Sequence, residues 1–300
     1  MKLFFAQTTL AALAALTCAS LTFGQDAPDP LVTSYTYAAV NVPGASATFA
    51  YAINDIGVIV GYFTGGPCAK ISDQSSCGFI DNKGKFTYVA CELENATDFF
   101  DISNTDEIVG AYSFFGGVHG LIWEGDESCF SLVAPAGPSL TEAWGAANGN
   151  VVGFYEDSAG NFQGFYYAGA TEKYSTIDCT GWANTRAFGI YAATIVGDVS
   201  QPGGALSGFV DKSGKCTIFI YPKAASTSAR GINKSSQVSG WYTDTSTKTH
   251  GFVKTGTSFA ELNYPGAVAT LAYHLNDKGQ VAGWYEDAKG AFHGFVATPK

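Results

Sequence analysis

The chain has 300 residues, a formal net charge of −10, only 14% charged residues, 14% aromatic residues and 36 glycines. So acidic a surface excludes nucleic acid and anionic membranes as electrostatic partners. A composition this rich in glycine and aromatics excludes a fold of long helices and predicts many short strands joined by tight turns.

The first element is a targeting segment. Met1-Lys2 forms a short positive start, Leu10 to Leu16 is the core of an uncharged apolar stretch, and small residues follow at Cys18-Ala19-Ser20 and Thr22-Phe23-Gly24. That order predicts a secretory signal over 1–24, with an apolar core too short for a membrane span. Ala15-Leu16-Thr17 before Cys18 is a poor lipobox, which argues against lipid attachment there. Residues 25–33 read as a loose polar leader and 34–300 as one domain. No second long apolar run follows, so the expectation is a secreted protein, extracellular or periplasmic, with no membrane span.

From residue 34 onward the sequence repeats. A Gly preceded by a small or apolar residue recurs at Gly61, Gly110, Gly153, Gly197, Gly240 and Gly283, in steps of 49, 43, 44, 43 and 43. A second Gly, followed by Phe or Leu, recurs at Gly78, Gly120, Gly164, Gly208, Gly251 and Gly294, in steps of 42, 44, 44, 43 and 43. Two landmarks with one period define six units. Each unit carries turn chemistry between short β-rich runs, as at Asn54-Asp55-Ile56-Gly57, Asn276-Asp277-Lys278-Gly279, Glu286-Asp287-Ala288-Lys289-Gly290 and Asn82-Lys83-Gly84. In unit one this predicts strands at Phe49–Asn54, Val58–Phe63, Gly78–Asp81 and Phe86–Cys91.

A four-stranded antiparallel meander of about 43 residues is the size of a propeller blade. Such a meander cannot bury both faces alone, whereas six packed radially can. The last unit ends at its third strand, His293–Thr298. The run Tyr35 to Ala45 mirrors Phe259 to Ala267 and so supplies the missing fourth strand from the other end of the chain. The prediction is therefore all-β: a six-bladed β-propeller of four-stranded antiparallel blades, closed by an N-terminal strand completing the last blade. An open solenoid would need capping units, and none is visible.

Six cysteines follow the signal, and an even count in an exported chain favours disulfides. Cys91 and Cys179 occupy one repeat position, and Cys129 and Cys216 another, at intervals of 38 and 37. Equivalent positions imply equivalent geometry, which predicts Cys91–Cys129 and Cys179–Cys216 as blade-to-blade ties. Cys68–Cys77 is then left for the long loop of unit one. No metal-ligand spacing and no cofactor motif is present, so neither a metal nor a cofactor is expected.

No nucleophile elbow, phosphate loop or zinc-protease motif occurs. His119, His250 and His293 share one repeat position before the second Gly and are candidate ligand-binding residues, although units two, five and six cannot all be neighbours in a ring. The carboxylates Glu156-Asp157, Glu286-Asp287 and Asp244 lie in equivalent turns, where turn formation explains them better than paired catalysis. The Asn-Asp turns likewise read as turns rather than calcium loops. Trp182, in the loop Thr180-Gly181-Trp182, is a candidate sugar-stacking residue, whereas Trp241 and Trp284 read as packing. Arg186 and Arg230, the only two arginines, fall near the starts of units four and five and are candidate anion clamps at a channel mouth. The sequons at Asn95 and Asn233 matter only in a glycosylating host.

Written out as Ile-Asn-Asp-x-Gly-x-Val-x-Gly-x-Tyr, then His-Gly-Phe, then Phe-Thr-x-Ile-Asp-x-Pro-Gly-Ala, the repeat resembles the bacterial "probable extracellular repeat, HAF family". The triplet appears as His119-Gly120-Leu121, His250-Gly251-Phe252 and His293-Gly294-Phe295. Units three and four depart most: Gln163 and Ser207 replace His, and the first turns become Ala147-Asn148-Gly149 and Tyr191-Ala192-Ala193. The resemblance implies export and no particular catalytic residues. The leading expectation is a secreted, non-enzymatic binding or scaffold propeller that holds a carbohydrate or protein at one face. The alternative is a glycoside hydrolase or lyase with its site at the channel mouth. Two carboxylates, or a His with Arg186 or Arg230, converging in one pocket would favour the enzyme.

Overall fold

A computed structural model describes residues 34–71, 75–91, 95–114, 116–123, 125, the backbone of 129–132, and 140–300. The targeting segment and leader expected over 1–33 lie outside the described residues. Six sheets of four antiparallel strands are arranged radially as a six-bladed β-propeller. Blade one consists of Ala47–Ile53, Val58–Thr64, Cys77–Asn82 and Lys85–Val89, each within two residues of its sequence-predicted bounds. The innermost strands of blades two to six are Ala96–Ile102, Thr141–Ala147, Asn184–Tyr191, Ser226–Ile232 and Ala269–Leu275. A single helical turn, Cys68–Ile71, sits in the long loop of blade one.

Closure is as predicted. Tyr35–Val40 pairs antiparallel with Phe292–Pro299, in register from Tyr35 opposite Pro299 to Val40 opposite Gly294. The first described strand thus becomes the outer strand of blade six, which so has four strands like the other five. The Tyr37 and Phe295 rings lie 5.9 Å apart across this seam.

The two landmark glycines have distinct steric causes. In strand two, a Cβ on Gly61, Gly110 or Gly197 would stand 1.9 Å from a carbonyl oxygen of strand one in the same blade, that of Phe49, Asp98 or Arg186. In strand three, the second glycine receives the next blade. A Cβ on Gly251 would meet the Ala272 methyl at 3.0 Å, and one on Gly294 would meet that of Ala50 at 3.0 Å. The first glycine therefore shapes a blade and the second sets how closely blades pack. Beside the second glycine, Phe79, Leu121, Phe165, Phe209, Phe252 and Phe295 are fully buried and form the inter-blade core.

One repeated residue escaped the sequence reading. Thr48, Thr97, Thr185, Thr227 and Thr270 are buried at the start of the innermost strand. Each accepts a hydrogen bond from a backbone N–H six residues earlier, as Val42 N–H to Thr48 Oγ1 at 3.0 Å and Tyr264 N–H to Thr270 Oγ1 at 3.0 Å. The threonine satisfies a backbone group in the chain segment that passes from one blade to the next.

The Asn-Asp turns do more than turn. Asn54 Oδ1 accepts from Val58 N–H at 2.9 Å, while its Nδ2 donates to Asp106 of blade two at 3.0 Å. Asn276 repeats the arrangement, bonding its own turn and donating to the Asn54 carbonyl of blade one at 3.1 Å. Asn233 donates to the Asn276 carbonyl at 3.0 Å, and Asp55 Oδ1 accepts from Asp277 N–H at 2.8 Å. Blade five is thereby linked to six, six to one and one to two, and the Glu107 carboxylate extends the relay to Gly149 N–H of blade three at 3.0 Å.

Two of the predicted disulfides are formed: Cys68–Cys77, with Cα atoms 5.6 Å apart, and Cys179–Cys216, with Cα atoms 5.5 Å apart. Cys91 is disulfide-bonded as well. The side chain of Cys129, its predicted partner, lies outside the described residues. Among the described residues no helix is long and apolar enough to cross a membrane.

Candidate functional site

The site is built by a β-bulge repeated six times. The register of strands one and two slips between Ala50 and Ala52, Phe99 and Asp101, Ala143 and Gly145, Ala187 and Gly189, Ala229 and Gly231, and Ala272 and Leu275. A bulge re-aims the extra side chain. Here the residues at the bulges, Tyr51, Phe100, Trp144, Phe188, Arg230 and Tyr273, meet at the propeller axis. Tyr51 lies 5.3 Å from Phe100 and 4.3 Å from Tyr273, Phe100 lies 4.1 Å from Trp144, and Trp144 lies 5.0 Å from Phe188. The Arg230 guanidinium completes the ring, 3.8 Å from the Phe188 centroid and between 5.1 and 5.4 Å from those of Trp144, Tyr273 and Trp241. Five aromatics and one cation thus plug the channel. Arg230 is buried, and desolvation pulls its pKa below the ordinary guanidinium value while the aromatic faces compensate its charge.

Two residues before each bulge, a second layer faces the mouth of the blocked channel: Phe49, Asp98, Glu142, Arg186, Ser228 and Leu271. This face carries the turns between strands two and three. Asp98 accepts a 2.6 Å hydrogen bond from Ser76 Oγ of blade one. Burial pushes its carboxyl up to about 6, the nearby Glu142 charge adds to the shift, and the Ser76 bond opposes it. Glu142 accepts from Trp144 Nε1 at 2.6 Å. Burial raises its pKa too, against that indole N–H and the positive charges of Arg186 and Arg230.

Arg186 forms a two-pronged pair with Asp198, Nε to Oδ1 at 2.9 Å and Nη2 to Oδ2 at 3.1 Å. Ser228 Oγ donates to Asp198 Oδ2 at 2.7 Å. The guanidinium also lies 5.6 Å from the Phe162 centroid. Around the layer stand half-buried aromatics, with Phe49 stacked on Tyr62 at 4.7 Å and edge-on to Trp284 at 5.4 Å. The mouth therefore bears two partly desolvated carboxylates beside a clamped arginine, among aromatic rings.

The sequence-predicted residues distribute as follows. Arg186 lies at the mouth and Arg230 in the plug beneath it. His119, His250 and His293 do not come together; each pairs across strands with the tyrosine of strand two and stacks on it, at 5.2, 5.0 and 5.1 Å. His250 also meets Asp244 Oδ2 at 3.3 Å and Asn263 Oδ1 at 3.0 Å, and His293 meets Asn41 Oδ1 at 3.2 Å. Trp182 stands apart from the axis, in the connection between blades three and four.

The turn carboxylates serve turns: Asp157, Asp244 and Asp287 each accept two backbone N–H groups of their own loop. On the opposite face the first turns surround a cavity of about 250 Å³ that His274 also lines. No group of three or more His, Cys, Asp or Glu able to hold a metal forms among the described residues.

Asp98 and Glu142 were missed in the sequence. Their position is filled by Phe, Asp, Glu, Arg, Ser and Leu in successive units, so no landmark marks it. The available signal was charge on an innermost strand, where apolar residues are the rule.

No family model and no curated protein matches this chain. Among solved structures it is similar to AofleA from Arthrobotrys oligospora, with a TM-score of 0.54 and 12% identity over 88% of this chain and 86% of that one. It is similar to the gluconolactonase XC5397 from Xanthomonas campestris, with a TM-score of 0.53 and 10% identity over 90% and 91% of the two chains. It is also similar to the Aleuria aurantia lectin in complex with Fucα1-6GlcNAc, with a TM-score of 0.52 and 8% identity over 82% and 91%. At these identities the likeness is one of fold: a propeller shared by proteins whose names span a lectin and a lactonase.

Proposed function

We propose that this protein is an extracytoplasmic binding propeller that holds a saccharide at the mouth of its blocked channel. The observation that carries it is the second axial layer, where Asp98, Glu142 and the Arg186–Asp198 pair sit among half-buried aromatic rings. A sugar offers hydroxyl groups to carboxylates and C–H faces to aromatic rings, and this layer presents both. The plug makes the mouth a terminal dish, which suits a chain end or a side branch rather than a threaded polymer. Export is supported by the leader, by the disulfides and by the resemblance of the repeat to the HAF family. The lectin among the structural neighbours supports the suitability of the fold alone.

One observation favours a second reading, glycosidic bond cleavage. Asp98, held near 6, is protonated over the range where a general acid works, and it lies near a second carboxylate. A single experiment addresses both. The mature protein is screened on a glycan array, and hits are measured by calorimetry and by product analysis for the parent, Asp98→Asn and Glu142→Gln. Binding weakened about tenfold or more in both variants, with no product, supports the binding propeller. Product formed by the parent and lost in both variants supports the hydrolase. Unchanged binding in both variants removes the mouth as the site.

A further inference from the structure

The relay of first-turn hydrogen bonds runs from blade five through six, one and two to blade three. Blade four offers Tyr191-Ala192-Ala193, which has no side-chain amide or carboxylate to continue it. At that gap the wall between blades three and four opens into a groove of about 430 Å³. The groove shares Ile190 and Ala192 with the cavity on the axis, and it shares Asp178 and Gly214 with a further recess of about 230 Å³ at the rim, beside Trp182. The three form one trough from the axis to the outer edge.

Three features of this trough lack a structural explanation. Asp211, which lines it, is only 6% exposed, and its Oδ1 is buried without a hydrogen-bond partner. Its counterpart in blade one, Asp81, accepts a 2.6 Å bond from Gly84 N–H. A buried carboxylate oxygen left unpaired is costly and is retained where something else supplies the donor. Second, three of the five large apolar side chains exposed among the described residues belong to blade four and its edge: Tyr191, Ile218 and Ile220. Tyr191 stands at the inner end of the trough, and Ile218 at the rim with half-buried Trp182. Third, blades three and four are the units that depart from the repeat.

We propose that this trough is a second binding site, for an uncharged linear oligosaccharide. A hydroxyl of the bound chain donates to Asp211 Oδ1, and flat sugar faces lie on Trp182 at the rim and Tyr191 near the axis. Three adjoining recesses of about 250, 430 and 230 Å³ suit several linked units rather than a monosaccharide. Asp178 and Asp211, on a chain of net charge −10, disfavour polyuronates and sulfated glycans. This site stands on residues separate from Asp98 and Glu142, so either can fail without the other.

The test uses the disulfide-intact mature protein and a panel of linear neutral oligosaccharides, cello-, xylo-, malto- and chito-series from the disaccharide to the hexasaccharide, with oligogalacturonate as the charged control. Binding is read by calorimetry and by tryptophan fluorescence. The expected result is that one series binds with affinity rising with length and oligogalacturonate does not. Trp182→Ala and Asp211→Ala should each weaken binding about tenfold or more, Trp182→Phe should restore most of it, and Val268→Ala, at an exposed position away from both sites, should leave it unchanged. Thermal melts establish that each variant is folded, and should Asp211→Ala not fold, the Trp182 pair decides alone. Binding insensitive to Trp182→Ala, an equal loss in Val268→Ala, no binding by any series at millimolar concentration, or capture of peptides in place of sugars would overturn the proposal.

Discussion

At the scale of single residues, the axis places charge where desolvation acts on it. Asp98 is the sharpest case, because its pKa in the fold, about 6, lies well above the ordinary carboxyl value of 3.8. Between these values the folded protein holds a proton that the unfolded chain has released. The stabilising contribution of this group is therefore full below about pH 4 and lost as the pH rises through about 6. The loss is on the order of 2 kcal/mol after allowance for the residue's partial exposure. Asp98→Asn keeps the shape and an acceptor for Ser76 without the charge. Thermal melts should show this variant more stable than the parent near pH 7.5 and equal to it near pH 4; equal melting temperatures at both would show that Asp98 is not desolvated.

At the scale of the element, the bulge and the first landmark glycine act together. The bulge turns one side chain of each innermost strand onto the axis, and the strand-one carbonyl before it then lies against strand two. A Cβ on Gly197 would come within 1.9 Å of the Arg186 carbonyl oxygen and 2.6 Å of the Phe209 ring. Backbone cannot yield there without moving Arg186 from Asp198 and Phe188 from the plug. Gly197→Ala should destabilise the protein by at least about 3 kcal/mol in chemical denaturation, whereas Gly214→Ala, in an open turn, should cost less than half of that through its positive φ alone. Similar losses for both would mean that the first landmark is a turn preference and not a contact.

At the scale of the whole molecule, stability rests on a ring in which each blade buries the face of the next. Removing residues 1–40 deletes the outer strand of blade six, and with it the packing of Tyr37 on Tyr264 and Phe295. Blade six would keep three strands and an open edge. A chain beginning at residue 34 should melt as the mature protein does, whereas one beginning at residue 41 should melt at least about 10 °C lower and aggregate, as followed by calorimetry and light scattering. Equal melting of the two would show that the closing strand is dispensable.

Six units, their four strands and the closure of the ring were legible in the sequence, because the two glycine landmarks are local and recur in every unit even where the first turn departs. The Cys179–Cys216 pairing was legible for the same reason, since equivalent positions in a repeat have equivalent geometry. The axial site was not. Tyr51, Phe100, Trp144, Phe188, Arg230 and Tyr273 lie 42 to 49 residues apart in the chain, no single residue type recurs there as a landmark, and only the bulge and the radial packing of six sheets bring them together. Arg230 read as a channel-mouth clamp, yet it is buried beneath the mouth, because one extra residue in a strand turns its side chain inward. The protonation of Asp98 and the unpaired oxygen of Asp211 depend on what surrounds each carboxyl, and those neighbours come from other blades.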